Sequence, residues 1–195
     1  MQQKTIPDLT WSSGVSRRRF LKLGALSLAG MMLPMSAFAS LLERSPAERR
    51  LAFYNTHTGE SLNTVYWASG DFVSDGLQEI DHILRDFRAD EVAAMDRGLL
   101  DLLYVLQGQL GARKPFQIIS GYRSPNTNAM LRSQSGGVAR HSLHMDAKAI
   151  DIRLPGVELS HLRDAALGLK AGGVGYYPGS NFVHVDVGRV RRWQG

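Results

Sequence analysis

The chain contains no cysteine, so disulfides and thiolate metal sites are closed to it, and any bound metal must be held by nitrogen or oxygen. It has no apolar segment long enough to cross a bilayer as a helix, which takes ~18–20 residues. The run from Leu23 to Leu33 falls short of that. No repeat or low-complexity stretch divides the sequence. A surplus of one charge sign is absent as well, once the first 39 residues are set aside. Of 23 Lys+Arg and 18 Asp+Glu, five and one fall in that segment, leaving 18 and 17 and a net charge of +1. The pI near 9.7 is therefore largely a property of the N-terminus. The near-neutral remainder argues against a nucleic-acid partner, which needs a concentrated basic face.

The N-terminal segment reads as an address rather than as fold. Ser16-Arg17-Arg18-Arg19-Phe20-Leu21-Lys22 precedes the apolar run, and Ala37-Phe38-Ala39 supplies a small-x-small cleavage site. These are the three parts of a secretory signal. The paired arginines in S-R-R-x-F-L-K fit its twin-arginine version. The expectation is a leader over residues 1–39, cleaved after Ala39, with export to the periplasm by the twin-arginine translocase and no membrane anchor afterwards. Residues 40–195 suit one compact domain, with the polar stretch 40–49 as a flexible tether.

Within that domain, residues 50–55 and 61–67 read as strands of a hairpin around Thr56-His57-Thr58-Gly59. Leu77, Ile80, Ile83, Leu84 and Phe87 follow helical spacing. A second helix spans 96–109, with Leu99, Leu100, Leu103, Leu106 and Leu110 on one face and Gly111 as its stop. Residues 116–120 read as a strand. Ser124-Pro125 opens a helix through Leu131, with Ser as cap and Pro in the first turn. Residues 133–142 form a Gly/Ser-rich loop. Residues 148–153 read as a strand, 160–170 as an amphipathic helix capped by Ser160, and 173–177 and 181–187 as the last strands. This mixture without steady βαβ alternation predicts an α+β domain, with a small, largely antiparallel sheet packed by helices.

Chemistry concentrates in two places. His144 is followed seven residues later by Asp151, which stands in the otherwise apolar strand Ala149-Ile150-Asp151-Ile152. A carboxylate among apolar neighbours is costly unless paired or metal-bound. In Phe182-Val183-His184-Val185-Asp186, the period of two puts His184 and Asp186 on one strand face. Two imidazoles and a carboxylate with one open position form the arrangement of a catalytic zinc site, where a bound water has its pKa lowered to about 7. Of the remaining histidines, His82 and His161 fall in polar stretches of predicted helices and read as structural or solvated.

Ser142-x-His144-x6-Asp151, with His184 on a later strand, resembles the signature of zinc D-alanyl-D-alanine carboxypeptidases and their VanX/VanY relatives. Asn55–Ser61 (NTHTGES), Ile119–Ser124 (ISGYRS), Ala171–Pro178 (AGGVGYYP) and Ser180–Asp186 (SNFVHVD) more closely resemble the YcbK-type murein endopeptidases. Together these runs cover most of residues 50–188. The resemblance implies a hedgehog/D-Ala-D-Ala peptidase-like fold with the zinc site on the sheet. It implies a periplasmic peptidase that cuts stem peptides or cross-links of peptidoglycan, its partner, with one zinc ion per chain. His144, Asp151 and His184 become the implied metal ligands. Ser120, Tyr122, Ser142, Tyr177 and Asn181 become implied substrate-binding residues. Arg123 matches the family's arginine near the scissile carbonyl, where it would stabilise an oxyanion or hold a substrate carboxylate; a salt bridge at a helix start is its structural alternative.

Two positions depart from the family's pattern. Ala147 stands where a glycine is usual. Asn181 stands three residues before the last histidine, where the carboxypeptidases place a general-base glutamate. An amide cannot take a proton from water. Asp186 and His141 are the two replacements, Asp186 either as base or as the group that orients His184. A zinc-containing peptidoglycan-binding protein with weak or no catalysis is the alternative function. Gly172, Gly173 and Gly175 before Tyr176-Tyr177 read as a close-packed cleft wall; they lack the strand–loop–helix context and the lysine of a phosphate loop.

Overall fold

A computed structural model describes Leu42 and residues 47–195 of the chain. The leader and its cleavage site lie outside them. Among the described residues, no helix is long and apolar enough to cross a membrane.

Alternation builds the first hairpin. In β1 (Glu48–Asn55), Arg49, Leu51, Phe53 and Asn55 are buried. β2 (Ser61–Ala68) returns antiparallel, with Leu51 opposite Thr64 and Phe53 opposite Leu62. Asn55 ties the turn. Its Oδ1 accepts from the backbone N–H of His57 at 3.0 Å and of Thr58 at 3.3 Å, while Nδ2 donates to the Ile83 carbonyl at 3.0 Å. The strand starts two residues earlier than the hydropathy predicts, inside the stretch read as a tether. The reason is Arg49: its guanidinium pairs with Asp101 at 2.7 Å and lies 4.2 Å from the Trp67 ring. A partner distant in sequence turns a polar residue into a buried one.

The rest of the order is β3 (Asp71–Phe72), α1 (Ser74–Ile83), α2 (Arg97–Gln109), β4 (Phe116–Ser120), α3 (Pro125–Gln134), a 3₁₀ turn (Leu143–Asp146), β5 (Ala149–Arg153), α4 (Leu159–Leu169), β6 (Gly173–Tyr177), β7 (Phe182–Asp186) and β8 (Arg191–Gln194). The Asp96 carboxylate caps α2 by accepting the Gly98 N–H at 2.8 Å, and Ser124 Oγ caps α3 by accepting from Thr127 at 3.3 Å. Ser160 does not cap α4; the cap position is Glu158, with no side-chain hydrogen bond. α1 ends at Ile83, so Phe87 leaves the helix and stacks on His57, with ring centroids 4.4 Å apart.

The eight strands form one sheet in the order β3-β2-β1-β4-β5-β7-β6-β8. β1–β4 and β6–β8 run parallel and the other neighbouring pairs antiparallel. The domain is α+β and the sheet largely antiparallel, as the sequence predicts. The sheet is not small, however, because β3 and β8 extend both edges. Two and four residues long, they are too short for a hydrophobic period to register. Leu51, Phe53, Ile118, Ile150, Ile152, Val183 and Val185 share one apolar cluster with Leu99, Leu103 and Leu106 of α2 and Leu162 and Ala166 of α4. Burying each large aliphatic side chain contributes about 1.5–3 kcal/mol. The alternate residues Asp151, His184 and Asp186 fall outside this cluster, on the face where the site is built.

The glycines before β6 and inside it are there for close approach. A Cβ on Gly172 would sit 1.7 Å from the Asp186 carbonyl oxygen, a backbone atom that cannot swing away. Gly172→Ala is expected to destabilise at the upper end of the ~1–3 kcal/mol typical of overpacking, or beyond it. Gly168→Ala, in α4 with nothing within 4 Å of the added methyl, is expected to stabilise by roughly 0.5–1 kcal/mol through helix propensity. Urea unfolding of both variants checks the pair.

Candidate metal centre and cleft

The register of two strands brings the first two groups together. Asp151 of β5 and His184 of β7 are directly paired residues with side chains on the same face. His144 arrives from the 3₁₀ turn. Ser142 caps that turn, with Oγ 3.4 Å from the His144 N–H, and the His144 carbonyl accepts the Arg123 N–H at 3.1 Å. Ala147 closes it at φ +54°, a left-handed position that glycine adopts without strain. That geometry accounts for the usual glycine there. All three side chains are buried.

Their ligand atoms converge. Asp151 Oδ1 lies 3.3 Å from His144 Nε2 and 2.8 Å from His184 Nδ1, and the two nitrogens are 3.2 Å apart. The outer nitrogens settle the tautomers. His144 Nδ1 is 2.7 Å from the Gly121 carbonyl, which can only accept, so Nδ1 carries the proton. His184 Nε2 donates to Asp186 Oδ2 at 3.1 Å. When both rings are neutral, the inner nitrogens thus turn lone pairs toward a carboxylate. Three acceptors packed this closely repel one another unless a cation sits among them. The spacings also suit one: around a tetrahedral ion with bonds near 2.0–2.1 Å, neighbouring donor atoms stand roughly 3.3 Å apart. His144, Asp151 and His184 form a group able to hold a metal ion, and its nitrogen and oxygen donors fit zinc.

The electrostatics agree. Burial pushes the His184 imidazolium down, but the hydrogen bonds and charges of Asp151 and Asp186 outweigh it and raise the group to about 9. Burial pushes Asp151 up, yet His144 and His184 hold it well below the usual carboxylate range. In the absence of a metal, the cluster draws a proton onto His184.

Asp186 is fully buried behind His184. Its Oδ1 accepts from the backbone N–H of Gly173 at 3.0 Å and of Gly188 at 2.8 Å, and from Arg191 Nη1 at 3.1 Å. Oδ2 accepts from Arg191 Nη2 at 2.7 Å as well as from His184. Burial raises this carboxyl, but these donors, His184 foremost, hold it well below its ordinary range. With both oxygens engaged, Asp186 does not line the open space.

That space is a cleft of about 430 Å³ over the three ligand atoms. Among the predicted residues Arg123, His141, Ser142 and Tyr177 line it. Arg123 is buried beneath it, with Nη2 3.7 Å from Asp151 and 3.2 Å from Ser120 Oγ, and Nη1 donating to Asn128 Oδ1 at 3.4 Å. Its Nε has no protein partner. Ser120 and Tyr122 lie on a neighbouring small depression, and Asn181 sits in the β6–β7 turn at φ +54°, outside the lining. Asparagine tolerates that left-handed conformation better than most residues. Three contributors were not legible in the sequence. Asn128 is a buried helix residue whose Nδ2 holds the loop carbonyl of Ala139 at 3.1 Å. Arg191 and Trp193 come from β8.

The comparisons with known proteins point the same way. A family model described as "Peptidoglycan L,D-endopeptidase MepK" matches residues 43–193. The chain belongs to this family. Peptidoglycan L,D-endopeptidase MepK of Escherichia coli strain K12 is 47% identical over 178 residues, covering 91% of this chain and 97% of the relative. A probable peptidoglycan L,D-endopeptidase MepK of Haemophilus influenzae is 43% identical over 181 residues, covering 92% and 96%. The matched region of the MepK family includes every residue of the cluster and cleft described above.

The raised His184 makes a prediction for the metal-free protein. Its stabilising charge is fully present below the unfolded value near 6.5 and is lost as pH rises through about 9. Melting temperature of the metal-free protein is therefore expected to fall between pH 6.5 and 9. Saturating divalent metal, which replaces that proton, is expected to flatten the slope. Thermal scans across this range, with and without metal, measure both.

Proposed function

We propose that this chain is a zinc-dependent peptidoglycan peptidase, with His144, Asp151 and His184 as the ligands of one zinc ion. The observation that carries the reading is the meeting of three lone-pair donors at one buried point, beneath a cleft and beside a buried guanidinium. Bound there, zinc supplies a Lewis acid and makes a water molecule acidic enough to serve as nucleophile near neutral pH.

The chain's own residues do the rest. Arg123 presents a fixed cation beside Asp151, suited to the charge that develops on a carbonyl oxygen or to a substrate carboxylate. Asp186 orients His184. Because its carboxylate is engaged on both oxygens and shut out of the cleft, the task of moving a proton falls to His141. Apart from the ligands, His141 is the imidazole in the described lining, and imidazole is the side chain most often used to pass protons. Asn181 at the glutamate position then serves the turn, and its amide does not bar catalysis. Ser142 acts mainly by capping the turn that delivers His144, while Tyr177 forms a wall of the cleft. The names of the relatives support an amide that joins an L centre on the acyl side to a D centre on the amine side. The leader over residues 1–39 supports export to the periplasm by the twin-arginine route, where the wall is accessible.

Cross-linked muropeptides with a defined L,D or D,D scissile amide test the reading by mass spectrometry. Cleavage of the L,D substrate, abolished by chelator and by His184→Ala, is expected. Equal products from a protein shown to be metal-free would sink it. Muropeptide binding without new amines would instead favour an inactive binding protein. His141→Ala is expected to lower kcat by about 10²–10⁴ with metal content unchanged. Asp186→Asn is expected to weaken metal binding by roughly 10–100-fold yet turn over normally at saturating zinc. Full activity in the first variant and none in the second, at equal occupancy, would assign the proton to Asp186.

A further inference from the structure

β8 is absent from every motif that marks the site, yet it supplies a side chain at the cleft wall that grips Asp186. Asp186 Oδ2 is shared by two donors, His184 Nε2 at 3.1 Å and Arg191 Nη2 at 2.7 Å, while Arg191 Nη1 takes Oδ1 at 3.1 Å. A guanidinium fork across both oxygens fixes the carboxylate plane, which a single point charge would leave free to turn. With the plane fixed, Oδ2 is held toward Nε2 of His184.

The fork is itself held on several sides. Arg191 lies 4.9 Å from the Trp193 ring centroid and donates to the Arg189 carbonyl at 3.1 Å. The Trp193 ring stands 5.1 Å from that of His184, and its Nε1 donates to Tyr177 Oη at 2.8 Å. The sequence makes room for this brace. A Cβ on Gly173 would lie 2.5 Å from Asp186 Oδ2 and 2.6 Å from Arg191 Nη1, and one on Gly175 would meet the Trp193 indole at 2.6 Å. The glycines of the Ala171–Pro178 motif thus admit the brace rather than a ligand.

We propose that Arg191 is a positioning residue for the metal: by clamping Asp186 it fixes the tautomer and ring plane of His184, and so sets how tightly Nδ1 binds the ion. The inference rests on the reading of His144, Asp151 and His184 as metal ligands. It differs from a role in charge balance alone, which any cation at this position would fill.

Zinc affinity measured by competition with a chromophoric chelator separates these cases, using the full exported domain as parent, Arg191→Gln, Arg191→Lys, Asp186→Asn and the Asp186→Asn/Arg191→Gln pair. Circular dichroism and melting of the metal-free proteins report the fold independently. Arg191→Gln is expected to bind zinc roughly 10–100-fold more weakly. Arg191→Lys, the milder change for folding, is expected to be weakened as well, because one ammonium cannot span both oxygens. The double variant is expected to bind no more weakly than Asp186→Asn alone, since Arg191 acts through that carboxylate. Parent-like affinity in Arg191→Gln or Arg191→Lys, or losses that multiply in the double variant, would overturn the clamp while leaving the metal site intact. A parent that binds no zinc would overturn the reading of the site and the clamp with it.

Discussion

The meeting of His144, Asp151 and His184 is locally unfavourable, and much of the surrounding structure exists to enforce it. Two imidazole lone pairs and a carboxylate are driven within 3.3 Å of one another in a buried setting. Unaided, such groups would rotate apart or take up water. Here the β5–β7 register fixes two of them and the Ser142-capped turn fixes the third. Hydrogen bonds to Gly121 and Asp186 then lock each ring by its outer nitrogen. The repulsion that remains is what makes the site hungry for a cation.

The same constraint orders the charges around it. Arg123 lies beside Asp151 and Arg191 against Asp186, and both guanidinium-bearing residues also line the cleft. Neither acid is left as a lone buried charge, which would be costly. Yet the two pairs differ in kind. Arg191 is committed to both oxygens of its partner, whereas Arg123 reaches Asp151 at 3.7 Å and keeps an unpartnered Nε. One arginine is bound into the scaffold on both oxygens of its partner, and the other is more loosely paired at the cleft.

Much of this could be read before folding. The capped helix after Asp96 and the hairpin around residues 56–59 follow from local rules, and both stand where predicted. Asp151 stood out because a carboxylate in an apolar strand needs a partner, and His184 because period two separates it from Val183 and Val185. The role of Asp186 stayed open for a physical reason: alternation places a residue on a face but does not say what lies beyond it. Arg49 looked like part of a tether because its partner, Asp101, is 52 residues away. Asn181 drew notice through the glutamate that the resembling carboxypeptidases place there, while its backbone conformation, φ +54°, has no trace in the pattern of side chains. β8 escaped notice because it is four residues long and gains its order by pairing in parallel with β6.

The sequence by itself determined which side chains could hold a metal ion and, for those on strands, which face they occupy, since these follow from residue type and from a periodicity of two. Tertiary structure alone decided that Asp186 faces away from the cleft and that Arg191 closes on it. It also decided that His141, rather than Asp186, shares the open space with Arg123. Those relations depend on distances between segments far apart in the chain. Such distances are set by sheet order and close packing, which no local pattern encodes.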